Sequence, residues 1–195
     1  LLDGVTVSVH DGGIALEGTS AAGGAYSVAS IAASSAAVTA SLTLSTADKA
    51  AVTLSDALEV LKLYLGKLSS PSAYKYLAAD FNGDNKVTLT DALGILKSVL
   101  GKAGALEPAW VFVDEEANLS GLTTASATRP AVDAHPVGTD PSLNLVAVLR
   151  GDANGSWKPA ATASYEVLAD SYFTDATTGL VGLHPDHITA GQFGL

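Results

Sequence analysis

The chain has 195 residues, no cysteine, and 20 Asp and Glu against 10 Lys and Arg, a formal net charge of −10 at pH 7. That balance repels nucleic acid and anionic membrane surfaces, and the lack of thiols excludes disulfides, thiolate metal centres and cysteine nucleophiles. Only 15% of residues are charged and 19 are glycine, which with abundant Ala, Ser and Thr suits a β-rich bacterial protein outside the cell or on its surface. No stretch is long and apolar enough for a membrane helix, so no membrane insertion is expected. Leu1 is neither a start methionine nor part of a leader, so the chain reads as a piece of a larger protein. Its length accommodates one good core or two to three small modules. The expected fold is α+β in three parts, residues 1–44, 45–104 and 105–195.

Residues 1–44 predict short strands. Val5, Val7 and Val9 alternate with Thr6 and Ser8, and Asp11-Gly12-Gly13 turns the chain into Ile14–Glu17. Ala25–Val28 and Ala37–Leu44 are two further candidates. The order Gly4-Val5-Thr6-Val7, Gly24-Ala25-Tyr26-Ser27-Val28, Ala37-Val38-Thr39-Ala40 resembles the transthyretin-like β-sandwich of carboxypeptidase regulatory domains. That resemblance implies a spacer or adhesive unit. Four short strands make a thin core, so this segment is expected to pack on the helices or on the C-terminal part of the chain.

Next comes a sentence written twice. Asp56-Ala57-Leu58-Glu59-Val60-Leu61-Lys62-Leu63-Tyr64-Leu65-Gly66-Lys67 returns as Asp91-Ala92-Leu93-Gly94-Ile95-Leu96-Lys97-Ser98-Val99-Leu100-Gly101-Lys102, and Val52-Thr53-Leu54 as Val87-Thr88-Leu89. Leu93, Leu96 and Leu100 recur at helical spacing, Ile95 and Val99 widen the apolar face, and a glycine ends each copy. Between the copies, Pro71 with Tyr74, Tyr76 and Leu77 predicts a short helix whose tyrosines pack between helices.

The second copy is preceded by Asp80-Phe81-Asn82-Gly83-Asp84-Asn85-Lys86-Val87-Thr88-Leu89-Thr90-Asp91, which has the spacing of a calcium loop. Side-chain oxygens fall at positions 1, 3 and 5 (Asp80, Asn82, Asp84). The Lys86 carbonyl serves at 7, Thr88 acts through water at 9, and Asp91 closes the loop at 12. Asn85 replaces the position-6 glycine, tolerable because Asn enters the left-handed region more readily than most residues. The shorter Asp91 in place of Glu draws the exiting helix closer to the ion. In the first copy, Ser45, Ala47 and Lys49 stand at positions 1, 3 and 5, and only Asp56 survives. One calcium is therefore expected in the pair, with the Lys49 ammonium a candidate to fill the vacated space.

Two loop-helix repeats ending in Leu-Gly-Lys, with Asp at position 12, resemble the type I dockerin module, a pair of EF-hand-like repeats found in large secreted bacterial proteins. The resemblance covers residues 45–103. It implies Ca²⁺ as cofactor, pseudo-twofold packing, and a helix face that docks a cohesin-like protein. Positions 10 and 11 would carry that contact, here Leu54-Ser55 and Leu89-Thr90.

From Glu107 onward β character returns in Ala109–Val113 and Leu143–Leu149, separated by a Thr/Ser/Pro-rich connection. Arg150-Gly151-Asp152-Ala153-Asn154-Gly155-Ser156-Trp157 comes after the second run. Asp152, Asn154 and Ser156 repeat the 1-3-5 spacing, but Ala163 stands at 12. A weak or shared second metal position competes here with an Asx turn anchored by Trp157. Similar endings follow dockerin-like repeats in large secreted proteins, which would make 45–158 one composite unit. The Arg-Gly-Asp tripeptide is too short to carry an integrin reading. Tyr165–Leu168, Tyr172-Phe173 and Gly179–Leu183 could complete a sheet.

No nucleophile elbow, zinc-protease helix or phosphate loop is present. His184-Pro185-Asp186-His187 is the densest titratable cluster, able in principle to bind a transition metal, but reads as a solvated tail turn. His10-Asp11 reads as turn chemistry at a strand end, and Asp114-Glu115-Glu116 as a solvated edge rather than an acid/base pair. The expectation is a non-catalytic calcium-binding interaction module, its partner a cohesin-like protein or an adjacent domain of the same polypeptide. Carbohydrate would be reached only through the parent protein. The alternatives are a rigid calcium-stabilised joint in a long adhesin and an accessory domain of an extracellular hydrolase.

Overall fold

The structure, a computed structural model, describes residues 1–11, 13–29, 31, 35–136, 142–159 and 188–190. Its elements are β1 (Thr6–Asp11), β2 (Ile14–Thr19), β3 (Ser35–Ser41), α1 (Thr46–Ala51), α2 (Leu54–Tyr64), α3 (Ala73–Ala79), α4 (Leu89–Val99), β4 (Ala109–Asp114), β5 (Val132–Pro136), β6 (Leu145–Arg150) and β7 (Ile188–Ala190). The architecture is α+β in two compact units, one holding Leu1–Leu42 and Ala131–Leu145, the other Thr43–Pro130 and Val146–Lys158. The expected cut at residue 105 is therefore not where the chain divides. Residues 105–130 join the helices, and 131–145 join the N-terminal strands.

The first unit is an antiparallel sheet of order β2-β1-β3-β5. Period-2 alternation sends Val5, Val7 and Val9 to the buried side with Ala36 and Val38. Val9 stands between Leu16 on β2 and Val38 on β3. Its fourth strand comes from 132–136, beyond the helical repeats, so residues 1–44 do not complete the sheet alone. Two packed sheets were expected; the described residues of this unit form one. Ala25–Val28, expected as a strand, belongs to none of the named strands. Tyr26 is buried there and its hydroxyl donates to the Leu143 carbonyl at 2.8 Å. Gly18 makes that approach feasible, because a Cβ on it would collide with the Ser27 carbonyl.

The second unit is built on the duplicated helices. Each starts at a capping box, Thr53 with Asp56 and Thr88 with Asp91, satisfying N–H groups that the helix leaves unpaired. Each also ends alike. Gly66 (φ 64°) and Gly101 (φ 58°) take the left-handed turn, and the N–H groups of Lys67 and Lys102 return to the carbonyls of Lys62 and Lys97 at 2.8 and 3.0 Å. Buried positions repeat at the same offset, Val52 with Val87, Asp56 with Asp91, Val60 with Ile95. The leucines that marked the helices in the sequence lie outward instead: Leu54, Leu58, Leu65, Leu89, Leu93 and Leu100 are all exposed.

Helix α3 begins after Ser72 and carries Leu77 and Ala78 into a cluster with Val113 of β4 and Val146 and Val148 of β6, flanked by Tyr74. Strands β4, β6 and β7 form the second sheet in that order. Among the described residues, no helix is long and apolar enough to cross a membrane.

Candidate metal centre

The Asp80–Asp91 loop leaves α3 directly, with Asp80 as that helix's C-cap. Asp80 is buried and its carboxylate gathers the loop around itself. Its Oδ1 accepts from the N–H groups of Gly83 and Asp84 at 3.0 and 3.1 Å, and its Oδ2 accepts from Asn85 at 2.9 Å. The chain can turn this tightly because Gly83 (φ 74°) and Asn85 (φ 66°) both enter the left-handed region. Asn85 thus does what the expected glycine would have done. Asn82 Oδ1 accepts from Asp84 N at 2.9 Å, and Asp84 Oδ1 accepts from Lys86 N at 3.0 Å. The Asn85 carbonyl and the Val87 N–H bond to Ala127 and Thr124. This fixes the peptides either side of Lys86, whose carbonyl is the expected seventh-position donor.

Asp91 closes the loop from the first turn of α4. Its Oδ2 accepts from Thr88 N and Oγ1 at 2.8 and 3.0 Å, and its Oδ1 accepts from Asn82 N at 3.1 Å. Helix start and loop are thus held by one fully buried carboxylate. Burial raises the Asp80 pKa, and the nearby charges of Asp91 and Asp84 add to the rise, against hydrogen bonds from Asn85 and Asp84 that lower it. The loop therefore packs like charge that a hard cation would neutralise. The donors are mixed carboxylate, amide and peptide oxygens. Among the described residues, no three His, Asp or Glu side chains converge by themselves.

Phe81, at loop position 2, is buried between Gly94 and Gly151. A Cβ on Gly94 would lie 2.9 Å from the Phe81 ring, which explains why α4 carries Gly where α2 carries Glu59. Glu59 instead pairs with Lys75 at 2.7 Å.

The first copy is not an emptied loop. Ser45 caps a helical turn, α1, and forms a capping box with Asp48. Lys49 turns outward to an ion pair with Glu107, so the idea that its ammonium fills the missing cation's place is corrected. Segment 152–157 lies in that place instead. The Asn154 N–H donates to Asp56 Oδ1 at 3.0 Å, just as Asn82 donates to Asp91. Asp152 Oδ1 accepts from Ser156 N at 2.9 Å, and its Oδ2 accepts from Trp157 N at 2.9 Å. Asp152 is only 4% exposed and Gly151 is buried too, so the Arg-Gly-Asp tripeptide is not displayed.

Trp157 anchors this turn, as the sequence suggested, and its partner was missed. Its indole N–H donates to Asp48 Oδ1 at 2.7 Å and that of Trp110 donates to Oδ2 at 3.3 Å. The two rings meet edge to face at 5.0 Å. Burial acts to raise the Asp48 pKa, but bonds from Ser45 and both indoles outweigh it and hold it below the ordinary carboxylate value. An acidic residue three positions after a Ser N-cap was the available signal.

The expected contact residues Leu54, Ser55, Leu89 and Thr90 are all exposed, at matching places in the first turns of α2 and α4. His184, Asp186 and His187, with the tail strands expected after Tyr165, lie outside the described residues. Comparison with protein-family models, curated proteins and solved structures finds no match for the chain.

Proposed function

We propose that this chain is a non-catalytic calcium-binding interaction module of a secreted or surface-displayed bacterial protein. The observation that carries the reading is the buried Asp80 carboxylate, wrapped by three loop N–H groups and facing the charges of Asp91 and Asp84. Asp80, Asn82, Asp84, the Lys86 carbonyl and Asp91 would hold the ion, with Thr88 acting through water. Bound calcium supplies positive charge where these oxygens gather. The chain's own residues do the rest. Asp91 ties the loop to the α4 N-terminus, and the order of one becomes the order of the other.

The exposed leucines of α2 and α4 support a docking role. Leu54, Leu58 and Leu65 repeat as Leu89, Leu93 and Leu100, giving two equivalent apolar stripes of the kind that marks interaction surfaces. This favours a cohesin-like or neighbouring-domain partner over a purely structural joint. Hydrogen exchange with calcium and then with chelator tests the reading. Calcium should protect Asp80–Lys102, and Asp80→Ala should abolish that gain while the β1–β3 sheet keeps its protection. Equal exchange of Asp80–Lys102 in both conditions would make the loop an ordinary turn and end the proposal.

A further inference from the structure

We infer that Asp152, Asn154 and Ser156, closed by Asp56 from the first turn of α2, form a second calcium site whose loop and helix are separated by about a hundred residues of chain. It rests on the first loop being a calcium loop, because that loop is the template for reading the second.

The two loops match position by position. Asp80-Phe81-Asn82-Gly83-Asp84-Asn85 stands beside Asp152-Ala153-Asn154-Gly155-Ser156-Trp157. Position 2 is buried in both, and the position-4 glycines share φ values of 74° and 70°. The position-1 carboxylate accepts from the N–H groups of positions 5 and 6 in each. The position-3 N–H reaches a helix-borne aspartate at 3.1 Å in one and 3.0 Å in the other. That aspartate is Asp91 or Asp56, each the third residue of a duplicated helix, and each bonded through Oδ2 to its Thr N-cap at 2.8 Å. Asp56 is therefore a position-12 residue that kept its role while its loop came from elsewhere in the chain.

One observation points to a ligand independently of this match. Asn154 Oδ1 is shielded from solvent and has no hydrogen-bond partner. The corresponding Asn82 oxygen accepts from Asp84 N, which also donates to Asp80, whereas Ser156 N donates to Asp152 and leaves the Asn154 oxygen unserved. An amide oxygen in that condition is costly unless something fills its lone pairs. Asp152 and Asp56 are both buried, and the N–H of Asn154, two residues after Asp152, donates to Asp56 Oδ1 at 3.0 Å. Two buried carboxylates and an unpaired amide oxygen, on a loop and on the helix that the loop bonds, suit a hard cation with oxygen ligands. Ser156 Oγ, 3.2 Å from both Asp152 Oδ1 and the Ala51 carbonyl, offers a further oxygen. With two carboxylates against three in the first loop, the second site is the weaker.

Calorimetric titration of the full chain with calcium should show two sites of unequal affinity. Asp152→Asn should remove the weaker and Asp80→Asn the stronger. Asn154→Asp adds a ligand charge and should tighten the weaker site about tenfold, a gain that folding damage could not produce. Terbium separates the sites optically, because Trp157 belongs to the second loop. Tryptophan-sensitised terbium emission should survive Asp80→Asn and vanish in Asp152→Asn. A single calcium, lost in Asp80→Asn and indifferent to Asp152→Asn and Asn154→Asp, would overturn this inference and leave the proposed function standing. No calcium at all would overturn both.

Discussion

Loop 80–85 is entered from a helix and runs without a break into the helix that closes it. Loop 152–157 is entered from strand β6 and is closed by a helix that lies earlier in the chain. Both nevertheless place an aspartate at position 1, a left-handed glycine at position 4 and a helix-borne aspartate against the position-3 N–H. The local geometry thus requires a six-residue turn and one carboxylate in the first turn of a helix, and chain continuity is dispensable. What differs is how each loop is supported. Ala79 delivers the first from α3, whereas Gly151 must turn the second out of β6 at φ 107°.

That turn at Gly151 is the place to break the approach to the second loop, and Phe81 of the first loop stands against it. A Cβ on Gly151 would meet the Phe81 ring at 3.0 Å and Val52 Cγ1 at 3.2 Å, at a φ that side chains rarely adopt. Gly151→Ala should cost about 4 kcal/mol from backbone strain and overpacking together, measured by denaturant unfolding. Ala79 already carries a Cβ at the matching position of the first loop. A near-neutral Gly151→Ala would therefore show that the chain reaches both loops under the same steric constraint, and the contrast between them would fail.

Asp48 separates the copies next. It holds α1 and both indoles at the second loop, and the first loop has no counterpart. Asp48→Ala leaves two indole N–H groups and the Ser45 N–H without their acceptor, which should cost about 3 kcal/mol. Its folded pKa is lowered, so the stability it contributes is present above the unfolded value near 4 and is lost as pH falls through the folded value. Wild type should lose stability in that acidic window and Asp48→Asn should lose less of it. Parallel pH profiles would contradict the assignment.

Asp80 and Asp152 carry the opposite sign. Both pKa values are raised by burial. The metal-free fold therefore carries no penalty from them below about pH 4 and a growing one as pH rises through their folded values. Calcium should remove that penalty, so melting curves with calcium and with chelator should converge in acid and separate as pH rises. The gap should reach about 1 kcal/mol per site when free calcium is fourfold above Kd. A gap independent of pH would mean that these carboxylates do not meet the ion.

Much of the helical unit was legible because repeats and caps are local. Thr-x-x-Asp, the terminal Leu-Gly-Lys and the 35-residue offset between Asp56 and Asp91 each specify geometry within a few residues. The strand runs of Val5–Val9, Ala109–Val113 and Leu143–Leu149 were readable for the same reason. Pairing was not, since nothing near β3 announces that 132–136 completes its sheet. The leucine periodicity located α2 and α4 but hid which side faces the core, because a helix whose apolar stripe is exposed has the same period as one whose stripe is buried. Asp56 is the sharpest case. Its sequence neighbours Ser45, Ala47 and Lys49 had lost every ligand, and the donors it faces lie about a hundred residues away.

The smallest expected effect is at Lys49. If the Lys49 ammonium stood in for a cation, it would be buried against Asp56, and removing it would expose uncompensated negative charge. Lys49 instead pairs with Glu107, both side chains being about half exposed or more. In such a setting Coulomb attraction is offset by screening and by the entropy of holding two long side chains. Lys49→Ala should therefore change stability by less than about 0.5 kcal/mol, a difference expected to shrink further in high salt. Calcium titration should be unaltered, because the oxygens beside Asp56 belong to 152–157 and not to 45–49. A loss of several kcal/mol, or a new calcium site in Lys49→Ala, would put the lysine back in the cation's place and displace the 152–157 turn from it.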